Sequence, residues 1–213
     1  MSSEARHYDG LVKLLRSKRL MATKNYTVSY RRKRSGKTNY KKRLKLLLSS
    51  KPRLVVRKSL RSTIMQVVEY SPDGDKVLAA ACSKDLTKLG WKGSTSNLSS
   101  AYLTGLLLGQ KAKKAKVSEA ILDIGLNTPA KGSRLFASVK GVIDSGLKVP
   151  SGNEIFPSKD RIEGKHIVNY ALHLQKSDKQ RYEKQFSLYL KQGLKPETIA
   201  THFAEIKNKI AQQ

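Results

Sequence analysis

The chain is 213 residues long and lacks acid where it carries most base. From Gly10 to Val68 there is no Asp or Glu, while nineteen Lys and Arg fall between Lys13 and Arg61. Cysteine is nearly absent as well. Cys82 alone cannot close an internal disulfide, which points to a reducing compartment. Within the apolar run Val77–Cys82 it reads as a small buried hydrophobe. The four histidines (His7, His166, His173, His202) are scattered, and with one cysteine they do not make a zinc site. His166 and His173 are seven apart, two ligands without a third, and read as surface residues or RNA contacts. No segment approaches the ~20 consecutive apolar residues of a membrane span. Leu11 to Met21 is too short and too basic for a secretory signal, and Ser2 and the Ala-Gln-Gln end carry no acylation pattern. Apolar residues make up 38% of the chain, below the usual share of about 45–50%. These absences argue against a disulfide scaffold, a metalloenzyme and a membrane partner, and the expectation is a cytoplasmic protein with no metal or cofactor.

What is present is charge. The net charge is +27, and the acid-free stretch supplies 19 of it. Self-repulsion of that size destabilises a compact state. A polyanion relieves it by giving each cation a phosphate and releasing condensed counterions. The nine Tyr against four Phe and one Trp fit an RNA surface, since Tyr both stacks and hydrogen-bonds.

Along the chain, residues 1–21 read as an N-terminal extension with a short helix around Leu11, Leu14 and Leu15. Residues 22–37 have no helical periodicity and few apolar groups; such an arm is expected to stay without fixed structure until RNA neutralises it. A helix is predicted from Thr38 or Asn39, either of which can cap it, through Tyr40, Leu44, Leu47 and Leu48, with Lys41, Lys42, Arg43 and Lys45 mostly opposite. Three strands follow, Arg53–Lys58, Ser62–Tyr70 and about Lys76–Ser83, separated by Ser59-Leu60-Arg61 and the turn Ser71–Asp75. Alternation puts Arg53, Val55 and Arg57 on one face, either an RNA platform or a solvated surface. A Gly/Ser/Thr loop (residues 90–97) leads into a helix from Leu98 to Lys113. Ala120–Leu126 reads as a buried strand, and a second loop (127–134) feeds a helix over Leu135–Gly146. Residues 151–165 look loop-like. Two helices are predicted near Asp178–Lys191 and Pro196–Ala211, the second with an apolar stripe of Ile199, Phe203, Ile206 and Ile210. The order implies an α/β unit with a mixed sheet, organised as 1–21 extension, 22–50 basic arm and first helix, 51–150 core, and 151–213 loop and C-terminal helical extension.

Enzyme motifs are not found. Lys92-Gly93-Ser94-Thr95 and Lys131-Gly132-Ser133 resemble pieces of phosphate loops, but Trp91 and Ala130 stand where a Walker A motif needs glycine. Both still place small residues and a Lys before a helix, where free N–H groups suit an RNA phosphate; the alternative is ordinary capping by Asn97 and Ser133. Asp123 is isolated in a buried strand and reads as a structural partner, since two-metal nucleases need several carboxylates.

The run Tyr30–Leu48 (YRRKRSGKTNYKKRLKLLL), Pro52–Lys58, Gly90–Gly93, Ala101–Leu106, Leu122–Leu126, Lys131–Arg134, and Ile155–Pro157 with Asp160-Arg161 occur in an order and spacing that closely resemble one family. It is the universal large-subunit ribosomal protein eighteen family in its archaeal form; the eukaryotic relative is the larger 5S rRNA-binding protein. The resemblance covers about Met21 to Tyr170. Residues 1–20 lie before the usual family start, and the region Asp178–Gln213 aligns poorly. The resemblance implies a mixed sheet flanked by helices with ribonuclease H-like topology but without its catalytic carboxylates. It also implies a non-enzymatic seat on 5S rRNA in the central protuberance, beside universal large-subunit protein five and large-subunit rRNA. Carried over by position, Tyr30, Arg31, Arg32, Lys33, Arg34, Lys37, Asn39, Tyr40, Lys41, Lys42 and Arg43 form the arm and helix start that grip RNA. Arg53, Arg57, Lys58 and Arg61 line a sheet face towards it. Trp91, Lys92, Gly93 and Ser94, with Lys131, Gly132, Ser133 and Arg134, add loop contacts. Tyr26, Tyr30 or Tyr40 stacks on a base, or Tyr40 belongs to its helix's apolar face. The rival readings are an RNA-processing or RNA-modifying enzyme and a general nucleic-acid-binding protein.

Overall fold

The computed structural model describes residues 27–212. The expected helix around Leu11, residues 22–26 of the arm with Tyr26, and His7 lie outside them. The chain forms two compact units, one ending at Thr38 and the other running from Asn39 onward. In the first, where no periodicity was expected, α1 (Arg31–Arg34) is a single turn in which the Tyr30 carbonyl accepts from the amides of Lys33 and Arg34 at 2.9 and 3.0 Å. Gly36 follows in the left-handed region (φ 63°).

The second unit opens with α2 (Tyr40–Leu47). Asn39 caps it, its side chain accepting from the Lys42 amide at 3.1 Å. The predicted apolar face is not buried: Leu44 is 62% and Leu48 76% exposed. Strands β1 (Arg53–Lys58), β2 (Thr63–Glu69) and β3 (Lys76–Cys82) form antiparallel pairs. A short α3 (Asp85–Lys88) precedes α4 (Leu98–Lys114), whose N-cap Asn97 accepts from the Ser100 amide at 2.7 Å. Strand β4 (Ile121–Asp123) joins parallel to β1, giving the order β3-β2-β1-β4, and α5 (Arg134–Asp144) follows. This is a mixed four-stranded sheet flanked by helices, as expected. β3 is one of its two outer strands, with Lys111 of α4 donating to the Ala80 carbonyl at 2.9 Å.

One sheet face is covered by α4 and α5. Leu54, Val56, Met65 and Val67 point inward and are fully buried with Leu103, Leu108 and Leu135. The two helices meet almost backbone to backbone. A Cβ on Gly105 would lie 2.0 Å from the Ser138 carbonyl oxygen, and one on Gly141 2.2 Å from that of Tyr102. The opposite sheet face carries Val55, Arg57, Ile64 and Gln66 and is only partly covered.

After β4 and α5 the structure departs from a loop. Residues 159–163 are α6 and Lys165–Ser177 is α7, separated by the left-handed Gly164. Ile167, Ala171 and Leu174 recur at helical spacing and bury into a small cluster around Phe186. The helix expected over Asp178–Lys191 is two pieces, α8 (Lys179–Gln185) and α9 (Ser187–Lys191), broken at the buried Phe186. Tyr182 donates to Glu197 at 2.8 Å, and partial burial together with that carboxylate pushes its hydroxyl up to about 12. Finally α10 (Ile199–Ala211) lays Ile199, Phe203, Ile206 and Ile210 against the core beside α4, all at most 4% exposed.

Gly105→Ala and Gly141→Ala should each destabilise by about 1–3 kcal/mol or more through overpacking. Denaturant unfolding followed by circular dichroism reads this directly; stability equal to the parent would mean the helices separate freely.

Candidate nucleic-acid interface

Four consecutive cations on one helical turn point to all sides of α1, because successive residues are ~100° apart. Arg31, Arg32, Lys33 and Arg34 are all exposed, as is Lys37, and none has a carboxylate partner among the described residues. The Arg32 Nε donates to the Thr38 hydroxyl at 2.8 Å, and the Lys37 amide donates to the Arg32 carbonyl at 2.9 Å. Tyr30 is 71% exposed. On α2, Lys41, Lys42 and Lys45 are likewise exposed and without acidic partners among the described residues.

The open sheet face differs from expectation. Arg53 is neither a platform nor a solvated residue: it is 3% exposed, its Nη2 donating to Asp75 at 2.6 Å and its Nη1 to Asp123 at 3.1 Å. Asp75 also accepts from Arg43 through both oxygens at 2.9 Å, and Asp123 accepts from Arg57 at 3.1 Å and from the Gly125 amide at 2.8 Å. The result is a line of alternating charge, Arg43–Asp75–Arg53–Asp123–Arg57. Asp123 is thus the structural partner that its isolation in β4 suggested. Asp75, read only as part of a turn, is the member that was missed. In a chain with so few acids, a carboxylate beside a strand of arginines is the available signal.

A second cationic group gathers at one end of the sheet, where three loops are tied together. Thr95 donates to the Arg61 carbonyl at 2.7 Å. Arg134 donates to the carbonyls of Ser96 and Ser59 at 2.6 and 3.0 Å. The β1–β2 tip, the 91–97 loop and the start of α5 therefore converge. Lys58, Arg61 and Lys92 are exposed on these loops, and Leu60 is 87% exposed at the tip. Lys131 is exposed and 3.6 Å from Glu154, a solvated pair of small energetic weight. Gly132 is left-handed (φ 66°).

Three loop residues expected to contact RNA are placed differently. Trp91 is 2% exposed, stacked on His202 with ring centroids 5.2 Å apart, its Nε1 donating to the Ser94 carbonyl at 3.2 Å. Gly93 is buried against that indole, where a Cβ would lie 2.5 Å from the ring. Ser133 does not cap α5 with its side chain, and Arg134 spends its guanidinium on holding loops. His202, one of the four scattered histidines, accepts from the Lys92 amide through Nε2 at 3.1 Å. Its role was hidden in the sequence because Lys92 and His202 are far apart along the chain. His166 is pulled down by burial and the nearby Arg161. Cys82, expected to be buried, is only partly buried at the end of β3.

Among the described residues no group of His, Cys, Asp and Glu could hold a metal ion, and no helix is long and apolar enough to cross a membrane. The chain matches the family model of ribosomal large-subunit proteins 60S L5 and 50S L18 over residues 24–119 and 109–152.

Asp123→Asn leaves Arg53 buried with one carboxylate instead of two. It should cost about 3–5 kcal/mol, the size found when one partner of a buried ion pair is removed. Lys131→Ala, which breaks an exposed pair, should cost under about 1 kcal/mol; denaturant unfolding followed by circular dichroism measures both.

Proposed function

Because the chain belongs to the family of ribosomal large-subunit proteins 60S L5 and 50S L18, and is therefore a protein of the large ribosomal subunit, we propose that it binds 5S rRNA and helps attach it to large-subunit rRNA in the central protuberance. The observation that carries this reading is the acid-free cationic run. Of its described members, Arg43, Lys51, Arg53 and Arg57 meet carboxylates. Arg31, Arg32, Lys33, Arg34, Lys37, Lys41, Lys42, Lys45, Lys58 and Arg61 meet none among the described residues. Phosphates supply the missing counter-charges, and counterion release supplies the driving force.

In this reading residues 22–50 are the gripping arm and first helix, with Arg favoured for bidentate phosphate contact. Residues 51–150 are a rigid seat presenting Arg57, Lys58, Arg61, Lys92 and Lys131, with Ser94, Gly132 and Ser133 as backbone contacts. Arg53, Trp91, Gly93 and Arg134 act as supports that hold the seat together rather than as contacts. Residues 151–213 face neighbouring proteins of the protuberance, universal large-subunit protein five among them, or large-subunit rRNA. Catalysis on RNA would need convergent carboxylates, and Asp75 and Asp123 are instead held by arginines.

Replacing Arg31, Arg32 and Arg34 together by Ala should weaken 5S rRNA binding while leaving the circular dichroism of the core intact. Unchanged affinity in a filter-binding titration would remove the arm from the mechanism. The parent protein should lose about 10³–10⁵ in affinity between about 50 and 200 mM salt. It should prefer 5S rRNA over bulk duplex DNA at moderate salt; equal binding of the two would make it a general nucleic-acid binder.

A further inference from the structure

Arg57 stands apart from the other cations of the open face because its donors are largely spent while its plane is not. Its Nη1 donates to the carbonyls of Val56 and Asp123 at 2.9 and 2.6 Å, and its Nη2 donates to the Asp123 carboxylate at 3.1 Å. Only Nε–H and one hydrogen of Nη2 remain. A phosphate is gripped by a forked edge of a guanidinium. Here the end-on Nη1–Nη2 fork is turned into the protein beside a carboxylate and the side-on Nε–Nη2 edge stays open, so the salt dependence of binding must separate a base on the plane from a phosphate on that edge. The side chain is nevertheless 42% exposed.

The backbone of Gly125 fixes which face is free. A Cβ at Gly125 would lie 2.7 Å from Arg57 Cζ, 3.0 Å from Nη2 and 3.1 Å from Nε. The shortest distance is to the central carbon, with the nitrogens slightly farther, so that position is above the plane rather than beside an edge. One face of the guanidinium therefore rests on Gly125, whose φ of 62° brings its backbone close. The 42% of the side chain that is exposed lies away from Gly125, on the side that includes the opposite face. Apolar surface adjoins it: Ile64, the cross-strand partner of Arg57, is 43% exposed, and Leu126, next to Gly125, is 54% exposed.

We propose that the exposed face of the Arg57 guanidinium is a stacking platform for an unpaired nucleobase of RNA. This rests on the reading of the chain as a 5S rRNA binder and names what one part of that surface recognises. Unstacked bases lie on arginine planes as they do on aromatic rings. A plane already oriented by three hydrogen bonds gives up little freedom when a base lands on it. Asp123 and Gly125 are positioning residues here: one holds the fork, the other supports the back of the plane.

The test compares the full-length parent with Arg57→Lys, which keeps the charge and removes the plane, using purified 5S rRNA at several salt concentrations with chemical probing of its unpaired bases. Arg57→Lys should bind about tenfold more weakly, with an unchanged slope of log affinity against log salt. At least one unpaired base protected by the parent should become reactive. Gly125→Ala, which keeps Arg57 but pushes its plane, should expose the same base, and this second variant serves if Arg57→Lys melts early. Unchanged affinity, or a slope reduced by about 0.7–0.9 as for a lost phosphate contact, would overturn the proposal. So would base reactivity identical to the parent's, since the plane would then serve a protein side chain or solvent. If the parent itself shows no preference for 5S rRNA, the wider reading fails instead.

Discussion

Asp75 and Asp123 each lie between two guanidinium groups, and the organisation of the sheet's open face follows from that arrangement. Charges taken out of water are costly unless their geometry and hydrogen bonding are nearly complete. Here three arginines from α2 and β1 share two carboxylates delivered by the β2–β3 turn and by β4. The line ties α2 to the sheet even though the helix buries none of its own residues. It also leaves one net positive charge spread over the row, so the surface stays attractive to polyanions while its members are held in place.

Charge is thereby sorted by function. Acids are scarce, and two of them, Asp75 and Asp123, are committed to Arg43, Arg53 and Arg57. The cations of α1, of the exposed side of α2 and of the β1–β2 tip are left for an external partner. In the function proposed above that partner is RNA, and the division separates groups that build the seat from groups left to meet phosphate.

Much of this was legible in the sequence. The strands β1, β2 and β3 and the helices α4 and α5 lie where alternation, turn chemistry and capping put them, because each is fixed by local pattern and by burial on one face. The mixed sheet follows from their order. The side-chain roles of Arg53 and Trp91 were not legible. An arginine on an outward face and a tryptophan in a polar loop look like contacts until long-range partners, Asp75, Asp123 and His202, are brought to them by the fold. Helix α7 was hidden for another reason: its apolar face is narrow, and it buries only Ala171 and Leu174 fully. The apolar residues of α2 show the converse, since periodicity reports a face and not what covers it.

The outer strand β3 has a further consequence. An unpaired strand edge is a template on which another chain can add. Here Lys111 occupies one of its carbonyls and Lys76 begins it. Positive charge at both places works against pairing of that edge with the same edge of another copy, which would bring like charges together.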